Sequence, residues 1–449
     1  MRVLIKNATV VQNLNEVHEN YAVLIDGEKI TAVAPSSELE RQHPNAETID
    51  ANGGLILPGS ICAHTHFYGA YARGMAIPGP APKDFPEILQ RLWWPLDKAL
   101  DEDAVRMSAI VFMVDAIKHG TTTLIDHHAS PNFIGGSLDV IADVVEQAGL
   151  RAVLCYEVTD RDGKEKARAG IDENIRFIRA ASTRKNIAGT FGLHASLTLS
   201  DETLENCAAA GRTVSSGFHI HVAEHEADEY DSLQKSGRRV IHRLQDTGIL
   251  GERTIVAHVV HCDPWELEIL RDTQTWVTHQ PRSNMNNAVG AAPLDAMLSA
   301  KMRLCLGSDG FSSNMWEEWK AAYLLHKIVH RDPRRAPGDG IAQMAIENNA
   351  RLVETFFPDL KIGVIEPGAA ADLMIVDYYP LTPLSAGNLP WHVIFGFEAS
   401  MIRTTIASGQ VLMKDRKILI LDEQAIAAKA RALAPAVWER YEKFARMTI

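Results

Sequence analysis

The chain is poor in the features that usually settle a protein's class at once. Of its 449 residues only five are cysteine: Cys62, Cys155, Cys207, Cys262 and Cys305. They are odd in number, scattered and without a CxxC pair, which argues against a disulfide framework and for a reducing cytoplasm. Most lie in apolar runs and read as small buried side chains. No apolar stretch approaches the length needed to span a bilayer. Met1-Arg2 leads straight into a strand pattern, unlike the charged and then apolar start of a secretory signal. Excess positive charge is missing too. Lys and Arg number 45 against 57 Asp and Glu, a net charge of −12 with the signs interspersed. Nucleic acid and anionic membranes call for basic patches, so neither is expected as a partner. Internal repeats and low-complexity tracts are absent. What remains is length and a 46% hydrophobic content, enough for a large domain with something smaller beside it.

Histidine is where the chain becomes specific. The run Leu55 to Ala63 stops at His64-Thr65-His66. In a strand, residues i and i+2 point the same way, so both imidazoles reach one point in space, as a metal requires. An HxH alone is as well explained by two polar residues at a strand end. Three later apolar runs also end in candidate ligands or catalytic groups, at His219-Ile220-His221-Val222-Ala223-Glu224, Ala257-His258-Val259-Val260-His261 and Leu306-Gly307-Ser308-Asp309. Chemistry at the carboxyl ends of successive strands is the layout of a (β/α)8 barrel site. A His/His/His/Asp set suits zinc, with iron or manganese close behind, and leaves a position for water.

The organisation agrees. Eight apolar strand candidates centre near Ile61, Leu124, Leu154, Phe191, Ile220, Val256, Val277 and Leu304, most followed by a helical pattern. Residues 1 to about 55 alternate like β-structure, with a hairpin expected at Asp26-Gly27. Strand patterns return at Ala371–Val376, Met401–Ile406, Val411–Met413 and Ile418–Ile420, before a helical Glu423–Arg446. The expected fold is therefore an α/β distorted TIM barrel spanning 57–361. A small β-sandwich would be built from both chain ends, 1–56 and 362–449, the latter including the helix. The long first loop, holding Pro78 to Pro82 and Trp93-Trp94, is expected to cover the site or to form a subunit contact.

With LPGxxxxHTH, HxHxAE, AHVVH and LGSDG in hand, the chain resembles the amidohydrolase superfamily. It is most similar to the branch holding cytosine, guanine and S-adenosylhomocysteine deaminases and triazine hydrolases. The segments Phe67-Tyr68-Gly69, Asp126 to Pro131 and Tyr156 to Gly163 resemble aminohydrolases associated with selenium-dependent hydroxylase gene clusters. The resemblance implies His64, His66, His221 and Asp309 as metal ligands. It selects His221 over its neighbour His219 by its place three before Glu224. Binuclear relatives carry a bridging lysine at the end of strand four. Here that strand ends Phe191-Gly192-Leu193-His194-Ala195-Ser196, without lysine, which implies one divalent metal per chain.

The resemblance also implies Glu224 as proton shuttle and His258 as the residue that orients the attacking water, with His261 as the alternative, and Asp309 as a proton acceptor. His194 is implied as a substrate contact, or else a residue that supports the ligands. Phe67, Tyr68, Trp93, Trp94, His127, His128 and His279 are candidates for holding a flat ring, and Arg282 for meeting an anionic or carbonyl group; packing explains each of them about as well. The leading expectation is a cytoplasmic hydrolytic deaminase of a purine-, pterin- or pyrimidine-like heterocycle, acting as a homodimer or higher homo-oligomer. The alternatives are a cyclic amide hydrolase, a triazine chloro- or aminohydrolase, and a catalytically silent assembly subunit.

Overall fold

Period-two alternation near the start of the chain yields a meander. In the computed structural model, which describes residues 2–447, β1 (Arg2–Asn13), β2 (Glu16–Asp26) and β3 (Lys29–Pro35) pair antiparallel. Asp26 faces Lys29 across the expected turn, with Gly27 at φ +62°. The strands β4 (Glu47–Asp50) and β5 (Leu55–Pro58) then join β1 in parallel.

The chain next turns to parallel pairing. One run consists of β6 (Ser60–Thr65), β7 (Thr121–His128), β8 (Arg151–Tyr156) and β9 (Ile187–Gly189). The second consists of β10 (Phe191–Ala195), β11 (Phe218–Val222), β12 (Ile255–His258), β13 (Trp276–His279) and β14 (Arg303–Leu306). The single strand expected around Phe191 is broken at Thr190 into β9 and β10. Two isolated bridges join the runs, Val158 with Leu193 and Thr65 with Asp309. This is a TIM-barrel-type α/β domain. Strands β7 and β8 are buried along their whole length, as strands covered on both faces must be.

The chain finally returns to its starting sheet. The strands β15 (Leu373–Val376), β16 (Ile402–Ala407), β17 (Gln410–Lys414) and β18 (Lys417–Ile418) pair antiparallel, and β15 adds to β5. The result is one nine-stranded sheet drawn from both ends of the chain. Because β5 belongs to it, the sheet runs to Pro58, slightly past the expected boundary. Arg151, at the start of β8, ties barrel to sheet: its guanidinium pairs with buried Asp372 and donates to Ser408 Oγ at 3.1 Å.

The long first loop is not irregular. It forms a 3-10 turn (Phe67–Ala72), a short helix (Phe85–Ile88), a π-turn (Leu89–Trp93) and a helix (Trp94–Ala99). The helix Glu423–Arg446 braces it: Tyr441 donates to the Arg91 carbonyl at 2.7 Å and Trp438 to that of Tyr71 at 3.0 Å. Among the described residues no helix is long and apolar enough to cross a membrane.

Candidate active site

The strand ends of β6, β11, β12 and β14 converge on one point. His66 Nε2 lies 2.9 Å from Asp309 Oδ1 and 3.2 Å from His221 Nε2, and His64 Nε2 lies 3.2 Å from the same carboxylate oxygen. Close approach is built into the backbone: a Cβ at Gly307 would sit 2.8 Å from the His64 N and O atoms, so only glycine lets β14 come this near.

Each imidazole is held by its other nitrogen. His66 Nδ1 donates to the His127 carbonyl at 2.6 Å and His221 Nδ1 to the His194 carbonyl at 2.8 Å. His64 Nδ1 meets His219 Nε2 at 2.9 Å, which puts His219 beneath the cluster as a buried support. This is how metal-binding histidines are oriented: one nitrogen bonded to the protein, the other presented to the ion. Burial pushes His64 down to about 3 and His221 well below the usual imidazole range, which keeps both neutral as ligands must be. Burial also raises the Asp309 carboxyl, but hydrogen bonds from His64 and His66 outweigh it and hold Asp309 well below the ordinary range. The chemistry of the donor set fits a divalent cation, with His64, His66, His127 and His221 close enough to share one, and His64, His221, His258 and Asp309 likewise.

Beside this centre His258 Nδ1 donates to Asn284 Oδ1 at 2.9 Å. Its Nε2 is left without a hydrogen bond, 3.4 Å from Glu224 Oε2. Burial pushes Glu224 up to about 7, with His258 offsetting part of the rise. A carboxyl in that range can both give and take a proton near neutrality, where general acid–base work is most effective. The helix Pro281–Asn286 and the residue after it serve three of these groups. Ser283 donates to Asp309 Oδ2, Asn284 accepts from His258, and Asn287 donates to Glu224 Oε1 at 3.2 Å.

A cavity of about 690 Å³ opens on the cluster. Its lining includes Tyr68, Trp93, Trp94 and His194, four of the residues expected to meet substrate, together with His66, His221, Glu224 and Asp309. Four others, Phe67, His127, His128 and His279, do not line it. Phe67 packs on Phe112 with ring centroids 4.9 Å apart, because the 3-10 turn sends Phe67 and Tyr68 in different directions. His128 bonds Ser130 Oγ at 2.8 Å: successive residues of β7 point to opposite faces, and it is His127 that faces the cluster. His279 is buried against His326 at 3.1 Å, between β13 and the helix Met315–His330. Arg282 is tied to buried Glu318 at 2.5 Å and to the Ser312 carbonyl, so it has no charge to spare for a ligand. His261 bonds the Val289 carbonyl and lies outside the donor clusters.

Three acidic lining residues went unread in the sequence, Glu157, Asp97 and Asp228. Glu157 directly follows the buried run of β8, as His66 follows that of β6. Asp97 lies in the first loop and has no strand to announce it. Ser283, Asn284 and Asn287 likewise sit in a helical segment with no chemistry-bearing spacing.

A parallel barrel with imidazoles and a carboxylate gathered at its strand ends defines a metal-site barrel hydrolase. The profile of the amidohydrolase family matches residues 55–412, and the chain belongs to that family. A short second match, to the imidazolonepropionase-like composite domain of bacteria, covers residues 22–46. The 5'-deoxyadenosine deaminase of Methanosarcina mazei is 32% identical over 444 residues, covering 96% of this chain and 97% of its own. An adenosine deaminase structure from Xanthomonas campestris with bound zinc matches with TM-score 0.84 at 25% identity, covering 97% of this chain and 98% of the other. Atrazine chlorohydrolase from Arthrobacter aurescens, complexed with zinc, shares the fold with TM-score 0.80 at 22% identity, covering 96% and 100%. The chain is accordingly a hydrolase acting on carbon–nitrogen bonds other than peptide bonds.

Proposed function

We propose that this enzyme replaces an amino group on a purine-, pterin- or pyrimidine-like ring with a carbonyl, consuming water and releasing ammonia. The observation that carries the reading is the Glu224–His258 pair, 3.4 Å apart, beside the donor cluster, with Glu224 lining an aromatic-walled cavity. The names of the relatives, adenosine-type deaminases, point the same way.

His64, His66, His221 and Asp309 would hold one divalent metal, zinc before iron or manganese. When bound, such an ion supplies a water acidic enough to attack carbon near neutral pH. The chain's own groups handle the remaining protons. His258, with its Nδ1–H held by Asn284, offers the Nε2 lone pair to orient the incoming water. Glu224 carries the water proton to the ring nitrogen beside the carbon under attack and then a proton to the departing amine. Asp309 accepts a proton in the same traffic. Tyr68, Trp93 and Trp94 can flank a flat ring.

We further propose that the nine-stranded sheet is folded as a small β-sandwich, since one apolar cluster gathers Val10, Val23, Ile56, Leu373 and Ile406 from five of its strands. The segments 1–56, 57–361 and 362–449 are the proposed units. The cytoplasm is the proposed setting, in keeping with five free thiols. A homo-oligomer is the proposed assembly.

Metal analysis coupled to an ammonia-release screen of purines, pyrimidines, pterins and triazines tests the function. Ammonia from an amino-substituted ring, abolished in Asp309→Asn, is the expected result. Ring opening of cyclic amides or chloride release from a triazine, without ammonia, would replace this reading with another hydrolysis.

A further inference from the structure

The wall of the cavity formed by β8 and the first loop carries two carboxylate oxygens without a hydrogen bond among the described residues, Glu157 Oε1 and Asp97 Oδ1, and the indole N–H of Trp94 is unpaired beside them. Glu157 is 2% exposed and lines the cavity. Its Oε1 lies 3.1 Å from His127 Nδ1, but the alignment is not that of a hydrogen bond, and among the described residues no donor satisfies it. His66 Nδ1, 3.5 Å from the same oxygen, already donates to the His127 carbonyl. His194 cannot help. Its Nδ1–H donates to Thr198 Oγ1 at 2.8 Å, and the Thr198 hydroxyl donates to the Ala195 carbonyl. The His194 Nε2 facing Glu157 Oε2, 3.8 Å away, is therefore a second acceptor. Asp97 adds a third. Arg161 donates to its Oδ2 at 2.9 Å, while its Oδ1 is buried without a partner. No lysine or arginine lines the cavity.

A buried carboxylate left without a hydrogen bond is costly, and such groups ask for an explanation. We infer that Glu157 is a specificity-determining residue that accepts a hydrogen bond from a ligand N–H or O–H donor, with His194 Nε2 and Asp97 Oδ1 beside it. This rests on the deaminase reading and narrows it. The substrate presents donors on the edge away from the amine that leaves, either a second ring amino group or the hydroxyls of an attached sugar. A ring with acceptors alone on that edge would leave the Glu157 carboxylate without a hydrogen bond and bind more weakly.

Calorimetric binding to metal-loaded enzyme tests this with two matched comparisons, 2,6-diaminopurine against adenine and adenosine against adenine. A hydrogen bond to a charged acceptor is worth roughly 10- to 100-fold in affinity. The donor-bearing member of at least one pair should bind the wild type tighter by about that factor. Which pair responds identifies the donor as ring amine or sugar hydroxyl. In Glu157→Gln the preference should shrink to about threefold or less while metal content and thermal stability are retained. Glu157→Asp, which withdraws the carboxylate by one methylene, serves the same comparison if Gln does not fold. A preference unchanged in the variants, or no binding by any of the three compounds, overturns the assignment. Ammonia measured from the same mixtures reports separately on the reaction. A shifted preference without ammonia removes the deaminase reading and keeps Glu157, whereas ammonia with an unshifted preference does the reverse.

Discussion

His258 and Asp309 both hold left-handed backbone, φ 75° and 53°, and so does Ala223 beside Glu224 at 46°. Side chains avoid that region, at a cost on the order of 1–3 kcal/mol each, and it persists where the surroundings over-determine it. Here it turns the residues closing β11, β12 and β14 toward one centre. At this scale the sharpest expectation concerns Glu224. Glu224→Gln keeps shape and burial but cannot carry a proton. Turnover should fall about 10²- to 10⁴-fold with metal content unchanged, whereas His64→Ala should lose the metal as well. Steady-state kinetics beside elemental analysis decide it, and near-normal turnover in Glu224→Gln would remove it from the mechanism. The donor cluster was legible because strand periodicity and HxH spacing act over two residues, and the resemblance chose His221 over His219. Glu157 and Asp97 were missed because a carboxylate gains its meaning from what surrounds it, and those neighbours come from distant segments.

At the scale of elements, the helix Pro281–Asn286 holds Asp309 through Ser283 and His258 through Asn284. Asn284 does not line the cavity, yet its side chain bonds His258 Nδ1 and holds the ring's aim. Asn284→Ala should lower kcat about 10- to 100-fold, the scale seen when partners behind a metal site are removed, with KM and metal content little changed. A rise in KM alone would instead place Asn284 in binding. A second expectation comes from the helices Glu226–Ser236, Val240–Asp246 and Pro264–Asp272. Burial, and then the charge of Glu266, push Glu229 up to about 8. The folded chain therefore keeps a proton that the unfolded chain releases at the ordinary glutamate value. Stability is fully present below that value and is lost as pH rises toward about 8. Glu229→Gln should flatten this decline. Its melting temperature should match the parent near pH 5 and exceed it above pH 8, and parallel curves would refute the argument. Eight barrel strands and the last helix were readable at this scale because apolar runs and helical periodicity are local. The helical character of the first loop was not: its proline-rich start reads as loop, and its order depends on Tyr441 and Trp438, far away in sequence.

At the scale of the whole molecule, the barrel and the terminal sheet are joined through the buried Arg151–Asp372 pair. Removing one partner leaves the other charge unpaired, which typically costs about 3–5 kcal/mol. Asp372→Ala should destabilise the fold by that order in denaturant unfolding, with the ligand geometry of the remaining folded enzyme intact. A loss well below 1 kcal/mol would show that water or Ser408 can replace the carboxylate. That both ends are rich in strands was readable from matching β-patterns. Their merging into one continuous nine-stranded sheet depends on pairing between β5 and β15, which no local pattern encodes.

That pairing, Leu373 with Pro58 and Val376 with Leu55, also sets an order of events during synthesis. The β1–β3 meander has all its partners within the first few dozen residues and can form as soon as it emerges. Strand β5 must wait for the entire barrel to be made before its second neighbour exists. Contacts so distant in sequence form slowly, and an unpaired strand edge invites association in the meantime. The growing chain therefore passes through a stage with a finished barrel and a half-built sheet. Pulse-labelled hydrogen exchange during refolding should find the β1–β2 amides protected before those of β15 and β16, and simultaneous protection would show that the two ends assemble as one unit.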